Sequence, residues 1–200
     1  MTKQILTLVS TLAIALSVNA AQFEEGKHYK VLDADKAKKP VVTEFFSFYC
    51  PHCYKFEGIV ENLKPTLPAD ASFEKVHVSF MGGNMGVPMA KSYAAMVTLD
   101  VEKEMIPAMF KQIHQLGQAP KNEAALRQLF VDYGVDGKKF DAAYKGFVVD
   151  SMQRKFDKRF QESTFTGVPG VLVNNKYIVK SDHIKTYDEY NDLVNYLLTL

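Results

Sequence analysis

Val41-Val42-Thr43-Glu44-Phe45-Phe46-Ser47-Phe48-Tyr49 running straight into Cys50-Pro51-His52-Cys53 is the stretch on which the fold of this 200-residue chain turns. The first nine residues are β-branched and aromatic with almost no polar interruption, the pattern of a central strand buried on both faces. Pro51 suits the first position of a helix, where its missing N–H and fixed φ do no harm. Cys53, Phe56, Val60 and Leu63 then recur at helical spacing on one stripe, and Lys64-Pro65 ends the helix. This register turns Cys53 toward the core. It leaves Cys50 at the exposed amino end, where unpaired backbone N–H groups and the helix dipole favour a thiolate.

Cys50 and Cys53 are the only cysteines. A disulfide stabilises chiefly by closing a long loop in the unfolded chain, so an inert staple across two intervening residues gains little, and the pair reads as chemical. Haem attachment requires His directly after the second cysteine, where this chain has Tyr54. A zinc site needs two further ligands at a spacing that His28, His77, His114 and His183 do not supply, so these histidines read as surface or strand residues and no metal is expected.

The first twenty residues carry Lys3 as their only charge, then the apolar run Ile5, Leu6, Leu8, Val9, Leu12, Ile14, Leu16, closed by Val18-Asn19-Ala20. This is the pattern of a cleaved secretory leader over residues 1–20 rather than a membrane span, and it implies an oxidising compartment. No cysteine follows the cleavage site to carry a lipid anchor. Loss of Lys3 brings the 24 basic residues to 23, against 23 acidic, so nothing suggests a nucleic-acid or anionic membrane partner.

A second strand is expected over Lys75 to Met81, with Val76, Val78 and Phe80 on one face and Lys75, His77, Ser79 and Met81 on the other; Gly82-Gly83-Asn84 breaks it. From Pro88 to about Phe165 the period becomes helical: Tyr93, Met96, Val97; Met109, Phe110, Ile113; Leu126, Leu129, Phe130, Tyr133; Tyr144, Phe147, Val148, Met152, Phe156, Phe160. Asn122 and Asp136 read as N-caps. Val171-Leu172-Val173 and Tyr177-Ile178-Val179 form a hairpin whose turn, Asn174-Asn175, supplies positive φ. A closing helix carries Tyr190, Leu193, Val194, Leu197 and Leu198 on one face, opened by the capping box Thr186…Glu189. The order describes an α/β sheet domain interrupted by an all-helical insertion.

Phe45 to Cys53, His77-Val78-Ser79-Phe80-Met81-Gly82-Gly83 and Gly167-Val168-Pro169, taken in order, resemble the DsbA family of periplasmic disulfide oxidases over essentially the whole mature chain. The resemblance implies a thioredoxin fold with an inserted all-helical domain. The thioredoxin-like part falls at 21–82 and 158–200, and the insertion at 83–157. It implies that Val168-Pro169 is a cis peptide bond beside the cysteines, forming the edge on which substrate peptide lies. Gly170 departs from the Ala or Thr more usual in relatives, a change expected to loosen that loop, and the chain has no Trp.

In the cycle so implied, a thiolate of an unfolded exported protein attacks Cys50 and expels Cys53; the substrate's second thiolate then resolves the mixed disulfide. Pro51 and His52 lie between the cysteines, and His52 can add a hydrogen bond or positive charge to the Cys50 thiolate. Glu44, in an otherwise apolar strand, is costly unless partnered, and an edge strand with a solvated side chain is its plain alternative. Glu57 lies four residues after Cys53 on the same side of the helix. The resemblance pairs Glu44 with Lys75, places Glu57 alongside, and assigns the three to proton supply for Cys53; solvated charges are the plain alternative for Lys75 and Glu57. Met81, Met85 and Met89 suggest an adaptable peptide-binding surface. The chain has no cofactor motif and no third cysteine, so re-oxidation falls to a quinone-linked membrane partner of the DsbB type. An isomerase or reductase is the rival within the fold, but only about twenty mature residues precede the first strand, too few for a dimerisation domain, so a monomer is expected. A peptide-binding chaperone with incidental cysteines is the rival from another class.

Overall fold

The computed structural model describes residues 23–200, and the leader expected over 1–20 lies outside the described residues. Five strands, β1 (Tyr29–Val31), β2 (Val41–Phe46), β3 (Ser72–His77), β4 (Gly170–Val173) and β5 (Tyr177–Val179), form one sheet in the order β1-β5-β4-β2-β3. Only β2 and β3 are parallel, and α1 (Pro51–Leu63) connects them. The apolar run of β2 fits its position, because it is covered by β4 on one edge and β3 on the other with both faces packed.

Between β3 and β4 the chain makes α2 (Gly86–Leu99), α3 (Glu102–Phe110), α4 (Glu123–Asp132), α5 (Gly137–Tyr144) and α6 (Phe147–Glu162). Residues 157 and 158, where the sequence places the return to the sheet domain, lie inside the unbroken helix α6. The final helix is α7 (Tyr187–Thr199). Tyr93, Met96, Met109, Phe110, Leu126, Phe130 and Phe156 from the insertion share one buried cluster with Phe46 and Phe48; each such side chain removed from water contributes about 1.5–3 kcal/mol. Val42, Val171 and Val173 pack against Leu193, Val194 and Leu197 of α7 in a second cluster.

The local signals hold where they depend on backbone preference. Asn122, Asp136 and Thr186 each accept a backbone N–H in the first turn of their helices, and Asn174 and Asn175 have φ of 52° and 57° in the β4–β5 turn. Four expectations shift. β2 ends at Phe46 because Ser47–Cys50 closes as a turn, with the Cys50 N–H donating to the Ser47 carbonyl at 3.0 Å. β3 therefore stops at His77, opposite Phe46, and Phe80 is 56 % exposed rather than sharing the buried face of Val76. In α6 the inward stripe is Val149, Gln153 and Phe156, which leaves Phe147 and Val148 exposed. Met85 and Met89 are buried core residues, not a peptide-binding surface. β1 has no counterpart in the sequence reading; three residues offer too short a window for alternation to register.

Candidate active site

Where β2 gives way to α1, Cys50 is the N-cap residue and Pro51 takes the first helical position. The Cys53 N–H donates to Cys50 Sγ at 3.2 Å, so one of the orphan donors of the helix terminus is aimed at this sulfur. The peptide dipoles of α1 add to it. Cys53, on the inward stripe with Val60 and Leu63, is fully buried. Burial, followed by its interaction with Cys50, pushes the Cys53 thiol well above the ordinary cysteine range, and the nearby Glu44 charge acts in the same direction.

Cys50 is not exposed as the helix register alone suggests: it is 3 % exposed. A position at the end of a helix leaves backbone donors open, but it does not decide what another part of the chain lays over the side chain. Here that cover is the Val168-Pro169 loop, whose peptide bond is cis; the Cys50 S–H donates to the Val168 carbonyl at 3.4 Å. Gly170 follows Pro169 directly. It is buried in β4 opposite Phe45, and the Phe165 ring occupies the space above it, at 2.9 Å from where a Cβ would stand. His52 is exposed in the first turn of α1 and makes no hydrogen bond among the described residues.

Behind Cys53, β2 and β3 place Glu44 directly opposite Lys75. Lys75 Nζ donates to Glu44 Oε2 at 2.5 Å and to Glu57 Oε1 of α1 at 2.6 Å. The three residues that the resemblance associates are thus one cluster, with Glu44 and Lys75 buried and Glu57 at its half-exposed edge, and the edge-strand alternative for Glu44 is excluded by the position of β2 inside the sheet. Glu44 is fully buried, and that burial raises its carboxyl to about 6, opposed by the Lys75 charge and reinforced by that of Glu57. Burial alone would lower Lys75, but the Glu44 and Glu57 carboxylates outweigh it and hold the ammonium above its ordinary value. Glu44 Oε1 is buried with no protein partner among the described residues. A cleft of about 470 Å³, lined by Glu57, Lys75, Lys64 and Glu102 among others, opens on the Glu57 side of the cluster.

Two histidines that the sequence reading set aside hold the turn before Cys50. His77 Nε2 accepts the Phe48 N–H at 3.0 Å; burial holds this imidazole down to about 3, so it is neutral, with its proton on Nδ1. His114 lies in a π-helical turn, Lys111–Gln115, that continues α3. Its Nε2 meets the Phe48 carbonyl at 2.8 Å and must therefore be the donor, and its ring stacks on Tyr54 at 5.2 Å with 5° between planes. His77 had a signal, a titratable residue alternating with valines in a strand, whereas nothing local marked His114.

A model of the DSBA-like thioredoxin domain matches residues 41–191. The thiol:disulfide interchange protein DsbA of Dickeya dadantii is 37 % identical over 98 % of this chain and 99 % of its own length, and that of Yersinia pestis 36 % over 94 % of each. Among solved structures, a cysteine-to-serine variant of Proteus mirabilis DsbA with a non-covalently bound peptide superposes with a TM-score of 0.84 at 32 % identity, over 90 % of this chain and 100 % of that one. Pseudomonas aeruginosa DsbA gives 0.78 at 27 % identity, over 90 % and 95 %.

Proposed function

The chain belongs to the DsbA-like family of thioredoxin-fold thiol:disulfide oxidoreductases, and we propose that Cys50 is the sulfur that exchanges with substrate and Cys53 its buried partner, expelled as the mixed disulfide forms. The observation that carries this assignment is the Cys53 N–H directed at Cys50 Sγ over the start of α1. A thiolate of an unfolded exported protein attacks Cys50 in the oxidised pair, forming a mixed disulfide and expelling the Cys53 thiolate. That thiolate, disfavoured by burial, takes a proton, for which Glu44 is the poised donor: a carboxyl raised to about 6 is partly protonated near neutral pH. The substrate's second thiolate then attacks its own sulfur in the mixed disulfide. The substrate leaves with a disulfide, and Cys50 departs as a thiolate held by the helix terminus.

Lys75 and Glu57 keep Glu44 in place and connect it to the cleft from which its proton is replenished. Val168 and Pro169 offer the edge for the substrate backbone beside Cys50. Pro51 starts the helix, and His52, exposed beside the cysteines, can turn a ring N–H toward the Cys50 sulfur as it departs as a thiolate. The protein acts as a monomer in the periplasm, delivered by the leader over 1–20, and a quinone-linked membrane protein of the DsbB type re-oxidises the Cys50–Cys53 dithiol.

Cys53→Ala tests the reading. In cells with a periplasm it should accumulate mixed disulfides through Cys50 with exported proteins and with the membrane partner, resolved by non-reducing electrophoresis and mass spectrometry. Recovery of no Cys50-linked adduct, with peptide binding intact in a variant lacking both thiols, would favour a chaperone instead.

A further inference from the structure

We propose that His114, carried by the helical insertion, is a positioning residue for Cys50 that makes the protein a stronger oxidant. The turn Ser47–Cys50 delivers Cys50 to the start of α1, and its backbone is held from two directions. From the sheet side His77 takes the Phe48 N–H at 3.0 Å; from the insertion His114 takes the Phe48 carbonyl at 2.8 Å. The same π-helical turn also grips the other side of the cysteine pair. His114 stacks on Tyr54, the residue after Cys53, and the Gln115 amide donates to the Tyr54 hydroxyl. The insertion therefore brackets Cys50-Pro51-His52-Cys53, with His114 in contact with both flanks.

This bracket matters unequally in the two redox states. In the disulfide form a covalent bond holds the two sulfurs together, and the turn needs no further restraint to keep Cys50 over the helix. In the dithiol form that bond is open, and Cys50 Sγ stays within 3.2 Å of the Cys53 N–H only as long as the preceding turn is held. Loss of the Phe48 carbonyl contact consequently costs the reduced state more than the oxidised one. The inference rests on the disulfide exchange assigned to Cys50 and Cys53, and adds a residue outside the sheet domain to the determinants of that equilibrium.

The test is equilibration with glutathione, in which the protein disulfide and two reduced glutathiones exchange with the protein dithiol and one glutathione disulfide. His114→Leu should shift this equilibrium toward the protein disulfide by about fivefold, the scale of one lost hydrogen bond. His114→Gln, which keeps an N–H donor at similar reach, should stay within about twofold of wild type. Should the leucine variant fail to fold, His114→Asn, too short to reach the Phe48 carbonyl, is expected to show the same fivefold shift. An unchanged equilibrium, with urea midpoints of both redox forms falling together, would reduce His114 to a packing residue and overturn the proposal. So would a glutamine variant that behaves like leucine, since the ring and not the donor would then matter. Wild-type protein that does not exchange with glutathione at all would instead refute the assignment of Cys50 and Cys53 on which the inference stands.

Discussion

Glu44→Gln should remove a specific segment of the protein's stability-versus-pH curve. Glu44 has a folded-state pKa of about 6 against an ordinary value of 4.5, so the folded protein holds this proton more tightly than the unfolded chain. Below the unfolded value both states are protonated and the carboxyl costs nothing. As pH rises from there, the unfolded chain ionises first, and stability falls until the folded carboxyl has also titrated, just above pH 6. A displacement of this size, at about 1.4 kcal/mol per pH unit, corresponds to about 2 kcal/mol lost between roughly pH 4 and pH 7. Glutamine keeps an acceptor for Lys75 but carries no titrating group, so the variant should lack this fall. Urea unfolding across that range in the oxidised form, where neither thiol titrates, isolates the effect. Parallel curves for wild type and Glu44→Gln would mean instead that Glu44 ionises in the folded protein as it does in water. In the oxidation of a peptide dithiol, the same variant should slow the step that expels Cys53 and lose any pH dependence centred near 6.

In the reduced protein, iodoacetamide at pH 8 should label Cys50 before Cys53, since burial disfavours the Cys53 thiolate; peptide mapping that finds Cys53 modified first would reverse the assignment. The dithiol form should be more stable than the disulfide form by up to about 2 kcal/mol, the scale of a charge held at a helix terminus, and His52→Ser should narrow the gap between their urea midpoints; an unchanged gap would remove His52 from the mechanism. Gly170→Ala should cost about 1–3 kcal/mol by forcing the Phe165 ring away, with much of the loss recovered in combination with Phe165→Leu, and strict additivity of the two would show that they do not compete for the same space.

Features controlled by short-range geometry are legible in the sequence. The stripe Cys53, Phe56, Val60, Leu63 set the phase of α1 and turned Cys53 inward, because residues three and four apart share a helix face in any protein. The caps at Asn122, Asp136 and Thr186 and the positive φ at Asn174 and Asn175 are likewise decided by side chains acting on backbone a few atoms away. The Glu44, Lys75 and Glu57 association was legible only through family resemblance. Their spacing contains nothing that sets β2 beside β3 or α1 above them, and it is that pairing which turns three charges into one cluster. Tertiary structure alone decided that Cys50 is covered, since the Val168 carbonyl over its sulfur comes from 118 positions along the chain. It also decided that a histidine of the insertion grips the Phe48 carbonyl 66 positions before it. Periodicity reports which side of an element faces the interior, but which other element fills that interior depends on the path of the whole chain. The chemistry of this site rests on contacts of the second kind.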